Sequence, residues 1–417
     1  MKLKTFSKFG AGALLIAGAY YGAVEYWVWK WESPHLSLPA KHLAQSDFVS
    51  HHQPTEELAH KAQAQMRTLA EELQSVSMSG AMAINGDVIW SGAVGLASVE
   101  PLRKATVNTQ YRIGSVSKPI TAVTLMRMEE EQMVNIDTPI HQYLPTYPKR
   151  NANVTMRQLV SHMGGVRHYS FDILKFPPTD AFSNKAYEDA HAALSQFKND
   201  DLLFQPGQGF HYSTHGYTLL SAAMQSAGNT QFEQLVERFV LEPLGLTQTS
   251  PEHLLNDKRH LAAFYASDNG LYGETPEQNL SNKVAGGGYV STPTDLVKLG
   301  DSLLTNQLLT PDSFARMTEV QPMHDGSKNQ QYYALGWRHY ETRHILDEDN
   351  PVDVIHHGGR AQGADTFLLL VPEHNTTVAI TTNGQGQKSR GEIQMLAYRM
   401  AGLAIAEKSE ETLLTKK

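Results

Sequence analysis

Residues Tyr111–Ala122 read YRIGSVSKPITA, with two serines and one lysine ahead of a proline and an apolar run. Ser115 and Lys118 stand three apart, a spacing that puts both on one face of a helix. Ser117 falls off that face. A lysine so placed lowers the cost of deprotonating a hydroxyl, above all when its own ammonium is desolvated. The stretch reads equally well as a capped, polar helix start. Ser195-Gln-Phe-Lys198 repeats the spacing and reads as surface helix. The choice rests on the rest of the chain.

The 417 residues carry a net charge of -8, with 41% hydrophobic and 19% charged residues. That is the composition of a folded protein with a large core, and its acidity excludes a broad nucleic-acid footprint. With no cysteine, disulfides, thiolate metal sites and cysteine nucleophiles are excluded. Lys2, Lys4 and Lys8 precede an apolar run from Phe9 to Val24, then an aromatic cluster to Trp31. Residues 1–31 are expected to be an uncleaved membrane anchor in preference to a cleaved signal peptide. The basic flank predicts a body outside the cytoplasm, on the periplasmic side. Residues 32–54 are polar and read as a tether, and 408–417 as a polar tail.

Between them, 55–407 read as one domain. Asn85-Gly86 between two apolar segments predicts a hairpin. Asp365–Pro372 and Thr376–Thr382 read as buried strands, and helices are expected at 55–73, 118–131, 217–227 and 391–406. Residues 171–200 read as an irregular cover over a site. Strands early, strands late and a helical middle give an α/β (α+β) class, with an antiparallel sheet built from both chain ends, flanked by helices, and an inserted all-helical lobe.

Two further segments carry chemistry. Tyr212-Ser-Thr214 follows a Pro-Gly turn and precedes a helix. A tyrosine there acts as a base where cations lower its pKa, and Thr214 holds a substrate polar group. His356-His-Gly-Gly-Arg360 precedes the late strand. Glycine there lets a substrate lie along a strand edge, and backbone N–H groups could join that of Ser115 around an oxyanion. The two histidines lack further spaced ligands, so no metal or other cofactor is expected. His162 reads as ordering its loop, and Gly286-Gly-Gly288 as tight packing near a groove.

Ser-x-x-Lys, Tyr-x-Asn and Lys/His-x-Gly, in this order, are the signatures of serine β-lactamases and penicillin-binding proteins. The chain resembles that family, and its class C and esterase branch in particular, through Leu159–Val166, Pro243–Leu246, Ala285–Thr292 and Tyr333–Trp337. Ser161–Tyr169 and Tyr212–Thr214 are most similar to the mitochondrial serine β-lactamase-like branch and its bacterial relatives. The resemblance spans 58–406. It implies an α/β domain and a helical lobe with the site in the groove between them. It makes Ser115 the acylated nucleophile, with Lys118 and Tyr212 sharing its proton. The oxyanion would sit between the N–H groups of Ser115 and Arg360. Thr214, His357, Gly358 and Gly359 would bind substrate, with His356 as the other reading of the third motif. Thr214 stands where the family has asparagine, and histidine where it has lysine. Those departures, and the absence of a class A deacylating carboxylate, favour a membrane-tethered hydrolase of small peptides or esters over a true β-lactamase. A self-assembling homo-oligomeric scaffold with little turnover is the other alternative.

Overall fold

The structure, a computed structural model, describes residues 36–39, 41–50, 56–148, 153–170, 179–182, 184–268, 271–386 and 389–414. The elements that frame the site are, in chain order, β1 (Ser46–Ser50), α1 (Glu56–Glu72), β2 (Ser77–Ile84), β3 (Asp87–Ser98), α2 (Ser117–Glu130), α3 (Thr214–Gly228), α4 (Pro293–Leu304), β4 (Arg338–Asp347), β5 (Asn350–Ala361), β6 (Ala364–Val371), β7 (Thr376–Thr382) and α5 (Ser389–Leu414). The large sheet runs β1-β3-β2-β7-β6-β5-β4, antiparallel throughout, with the two-residue strand Arg103–Lys104 added on β3. Both chain ends supply it, and the helices lie between and around them. The expected class holds.

The β2–β3 hairpin forms where Asn85-Gly86 predicts it. Both residues have positive φ, 52° and 103°, as the twist-matched two-residue turn requires. In β6 every residue is buried, which fits a central strand covered on both faces. Leu368 and Leu370 join the core under the helical lobe, while Phe367, Leu369 and Val371 join the core under α1 and α5. Period two thus assigns each residue of this sheet to one of two cores.

Three stretches differ from expectation. Ser46–Ser50, expected within a tether, pairs with Trp90–Val94 as an edge strand. Its pattern is mostly polar because an edge strand needs backbone pairing more than apolar burial. The β4–β5 hairpin was not anticipated. Its outer strand, RHYETRHILD, is charged and largely exposed, so hydrophobic alternation does not reveal it. The last helix continues to Leu414. Of the expected cover, 179–182 and 184–200 are described, and they form short turns and the helix Ala190–Ala193. The expected anchor lies outside the described residues. Among the described ones no helix is long and apolar enough to cross a membrane.

A small sheet of Tyr111–Arg112, Tyr289–Ser291 and Ser250–Pro251 delivers the chain to Ser115. A buried ion pair locks it. Arg112 donates from Nε and Nη2 to the two carboxylate oxygens of Glu252, at 2.7 and 2.6 Å, with both side chains under 10% exposed. Removing one partner strands the other charge in a dry site. Glu252→Ala should therefore cost about 3–5 kcal/mol in urea unfolding at neutral pH. A loss below about 1 kcal/mol would show that water reaches Arg112.

Candidate active site

The turn before α2 is built by glycine. Gly114 has φ +49°, and a Cβ there would lie 2.7 Å from the carbonyl carbon and oxygen of Arg360. Gly359 answers from the opposite side, since a Cβ on it would lie 1.9 Å from the Ile113 carbonyl oxygen. The two glycines let the turn and strand β5 touch backbone to backbone. The Arg338↔His356 pair ends the β4–β5 ladder, so residues 357–361 run on with no outer strand partner among the described residues. Ala361 and Ala364 flank the two-residue loop that joins β5 to β6. Bonding alternates from that closing pair, so the Arg360 N–H points out from the sheet, toward the turn bearing Ser115.

The two serines of this turn part company. Ser117 is sealed, donating to the Gly114 carbonyl at 2.8 Å and accepting the Tyr289 N–H at 3.3 Å. Ser115 is half-buried and lines the groove. Lys118 has no exposed surface, and its Nζ meets Ser115 Oγ at 3.2 Å, Thr214 Oγ1 at 3.2 Å and the Gly286 carbonyl at 2.6 Å. It also lies 4.8 Å from the Tyr212 ring centre. Burial lowers its pKa from the ordinary lysine value. The nearby Tyr212 opposes that shift, and Arg338 adds to it. When the amine is neutral it keeps two N–H groups and gains a lone pair. The carbonyl accepts in either state, whereas a hydroxyl can reverse and donate to that lone pair. Ser115 O–H is placed to do so.

Tyr212–Thr214 is held by the segment around Gly164. The Ser213 N–H donates to His162 Nδ1 at 3.1 Å and the Thr214 N–H to His168 Nδ1 at 3.2 Å. Ser213 Oγ caps α3, accepting the Gly216 N–H at 2.9 Å. Two histidines thus satisfy N–H groups at the start of α3 that the helix leaves without partners. His162 orders its loop, as the sequence suggests.

The third segment divides by parity. His357 lies on the lobe face of β5, paired with Leu368, and His356 on the other face, paired with Leu369. His357 is fully buried. Its Nδ1–H donates to the Gly358 carbonyl at 2.8 Å and its Nε2 accepts from Tyr333 O–H at 3.0 Å. Burial holds it neutral, with Arg338 and Lys118 adding to the effect. It reaches Tyr333 rather than the groove. Gly358 and Arg360 line the groove. His356 does not reach it. Its ring stacks on Phe367 at 5.1 Å, and neither nitrogen finds a partner among the described residues.

Four basic side chains that sequence reasoning did not single out complete the walls. Arg112, Lys283, Arg338 and Arg390 line a groove of about 640 Å³ together with Arg360, and none of its described lining residues is a carboxylate. Arg112 and Arg360 are neutralised behind the wall by Glu252 and Asp365. Arg338 donates to Gln331 and lies 5.3 Å from the Tyr333 ring centre. Lys283 donates to the Ala181 carbonyl at 2.7 Å, and burial with nearby Arg112 lowers its pKa to about 8. These groups come from four distant segments, and spacing along the chain gives no sign of them. His168 and Tyr169 also line the groove. They belong to a stretch that carries the family resemblance but suggested no role. Among the described residues no cluster of His, Asp and Glu could hold a metal ion.

Burial of His356, with Arg338 and Arg390 nearby, lowers its pKa to about 3. Between that value and the free value near 6.5, the unfolded chain takes a proton that the native ring refuses, so stability falls as pH drops through this window. His162, His168 and His357 act in the same direction. His356→Leu should lose about 2 kcal/mol less than the wild type between pH 7.5 and 5 in urea unfolding. Equal losses would mean that His356 is protonated in the native state.

A family model described as Beta-lactamase matches residues 62–398. The mitochondrial serine beta-lactamase-like protein LACTB of Homo sapiens is 25% identical over 397 residues, covering 76% of this chain and 72% of its own. The octameric penicillin-binding protein homologue from Pyrococcus abyssi has a TM-score of 0.69 at 19% identity, covering 83% of this chain and 77% of its own. The D-amino acid amidase from Ochrobactrum anthropi has a TM-score of 0.69 at 20% identity, covering 85% and 100%.

Proposed function

The chain belongs to the beta-lactamase family, and from that premise we propose that it is a serine hydrolase acylated on Ser115 by a peptide or ester. The observation that carries this reading is the Lys118 amine. It is fully buried, has no carboxylate partner among the described residues, and stands 3.2 Å from Ser115 Oγ.

Neutral Lys118 accepts the Ser115 proton as Oγ attacks the substrate carbonyl. Negative charge develops on the carbonyl oxygen between the N–H groups of Ser115 and Arg360. Tyr212, beside the amine, relays the proton to the leaving group. Water then releases the acyl group. Thr214 holds the amine, and the open edge of β5 at Gly358–Ala361 receives the substrate backbone. Tyr333 and His357 support Tyr212 from behind. Gly359 serves by having no side chain.

Cations without a carboxylate among the described lining residues favour a substrate that carries negative charge. An amide substrate is supported by the likeness to a D-amino acid amidase, and the reading extends to D-amino-acid peptides of the cell wall. Thr214 and the buried, neutral His357 weigh against true β-lactamase activity. Residues 1–31 would tether the domain outside the cytoplasm, on the strength of their basic start and apolar run. Assembly into a homo-oligomer is the second reading, supported by the octameric neighbour.

A fluorophosphonate probe should label the full chain in mild detergent. Ser115→Ala should abolish labelling, and Lys118→Met should slow it on the order of 10³-fold. A fluorescent penicillin should label poorly. Absence of labelling by both reagents would count against a hydrolase and for a scaffold, and size measurement on the same sample would test assembly. Deleting residues 1–31 should move the protein from the membrane to the soluble fraction.

A further inference from the structure

We propose that His168 positions the substrate, its Nε2–H donating to the carbonyl oxygen of an acylamino group beside the scissile bond. The proposal rests on the serine hydrolase reading and narrows the substrate to peptide-like acyl groups.

The argument starts from the tautomer. His168 Nδ1 accepts the Thr214 N–H at 3.2 Å, so in the neutral ring the proton sits on Nε2. The ring stays neutral. Burial lowers its pKa to about 3, with Lys118 and His215 adding to the shift. Nε2 makes no hydrogen bond with the described residues, and the ring lines the groove. His162 is the contrast. It makes the same kind of bond, to Ser213, but its Nε2 is sealed away without a partner. One of the two histidines has its free nitrogen shut inside the protein. The other has a donor to spare on a ring that lines the groove.

Thr214 cannot supply that donor. Its hydroxyl is already engaged, meeting Lys118 Nζ at 3.2 Å with Tyr169 beside it. His168 is therefore a neutral donor one hydrogen-bonded step beyond the Ser115–Lys118–Thr214 chain. A neutral N–H suits a carbonyl oxygen, and an acylamino group next to the reacting carbonyl presents one. Across the groove, the open edge of β5 offers backbone groups to the same extended chain. Recognition from both sides is what a peptide has and a simple ester lacks.

The test compares two p-nitrophenyl esters, of N-acetylalanine (both enantiomers) and of propionic acid, which differ only in the acetamido group. The readout is the ratio of their kcat/KM values. The wild type should prefer one N-acetylalanine enantiomer. His168→Asn keeps an acceptor where Nδ1 stands, and so can hold the Thr214 N–H, but it has no group at Nε2. It should cut the ratio about tenfold, the worth of one hydrogen bond. His168→Gln, whose amide reaches the Nε2 position, should hold the ratio within about threefold of wild type. A structural role alone would slow both esters by the same factor in His168→Asn and leave the ratio unchanged, which overturns the proposal. So does a wild type that shows no preference. Fluorophosphonate labelling of the same preparations separates the two levels. A wild type not labelled at Ser115 removes the hydrolase reading, and this proposal with it. Labelling with an unmoved ratio removes only the role of His168.

Discussion

A lysine amine is costly to bury without a carboxylate, and among the described residues Lys118 has none. The site is arranged around that cost. Lys118 meets two hydroxyls and one carbonyl, enough for the three N–H groups of an ammonium and adaptable enough for a neutral amine. Each partner comes from a different part of the chain. Ser115 comes from the turn before α2, Thr214 from the start of α3, and Gly286 from the glycine run ahead of α4. A Cβ at Gly286 would lie 2.6 Å from the Thr214 methyl, so that segment comes close only because it is glycine. The lobe packs as it must to satisfy one amine in a dry place.

The same economy explains the histidines. Several are buried, and burial keeps them uncharged. Uncharged imidazole is at once donor and acceptor, which suits loop backbone that has lost its water. His162 and His168 use the acceptor on the first N–H groups of α3, and His357 uses both nitrogens, on Tyr333 and its own strand. Positive charge in the groove comes from arginines and Lys283. Glu252 and Asp365 neutralise two of those arginines from behind the wall, where they do not face a ligand.

Much of this was legible in the sequence, and the gaps have physical causes. The Asn85-Gly86 turn, β6, β7 and the helices follow from periodicity and turn chemistry because they lie where burial is one-sided or complete. The edge strands β1 and β4 escaped because polar, exposed strands look like loops. The three segments that suggested chemistry do meet: Ser115, Tyr212 and Thr214 lie around the Lys118 amine, and Gly358 and Arg360 line the same groove. Between His356 and His357, composition is silent. The ladder decides, because a shift of one residue in a strand reverses the face. Arg338, Arg390 and Lys283 could not be foreseen, since only folding brings their segments together.

Strand β5 outlasts β4 by five residues, from His357 to Ala361. The overhang leaves the sheet one partner short along the groove. An extended chain laid there takes its register from the sheet, bond by bond, as a further strand would. Its side chains then alternate between the groove floor and solvent. Selectivity along such a chain is exercised at every second residue, with the residues between left to vary.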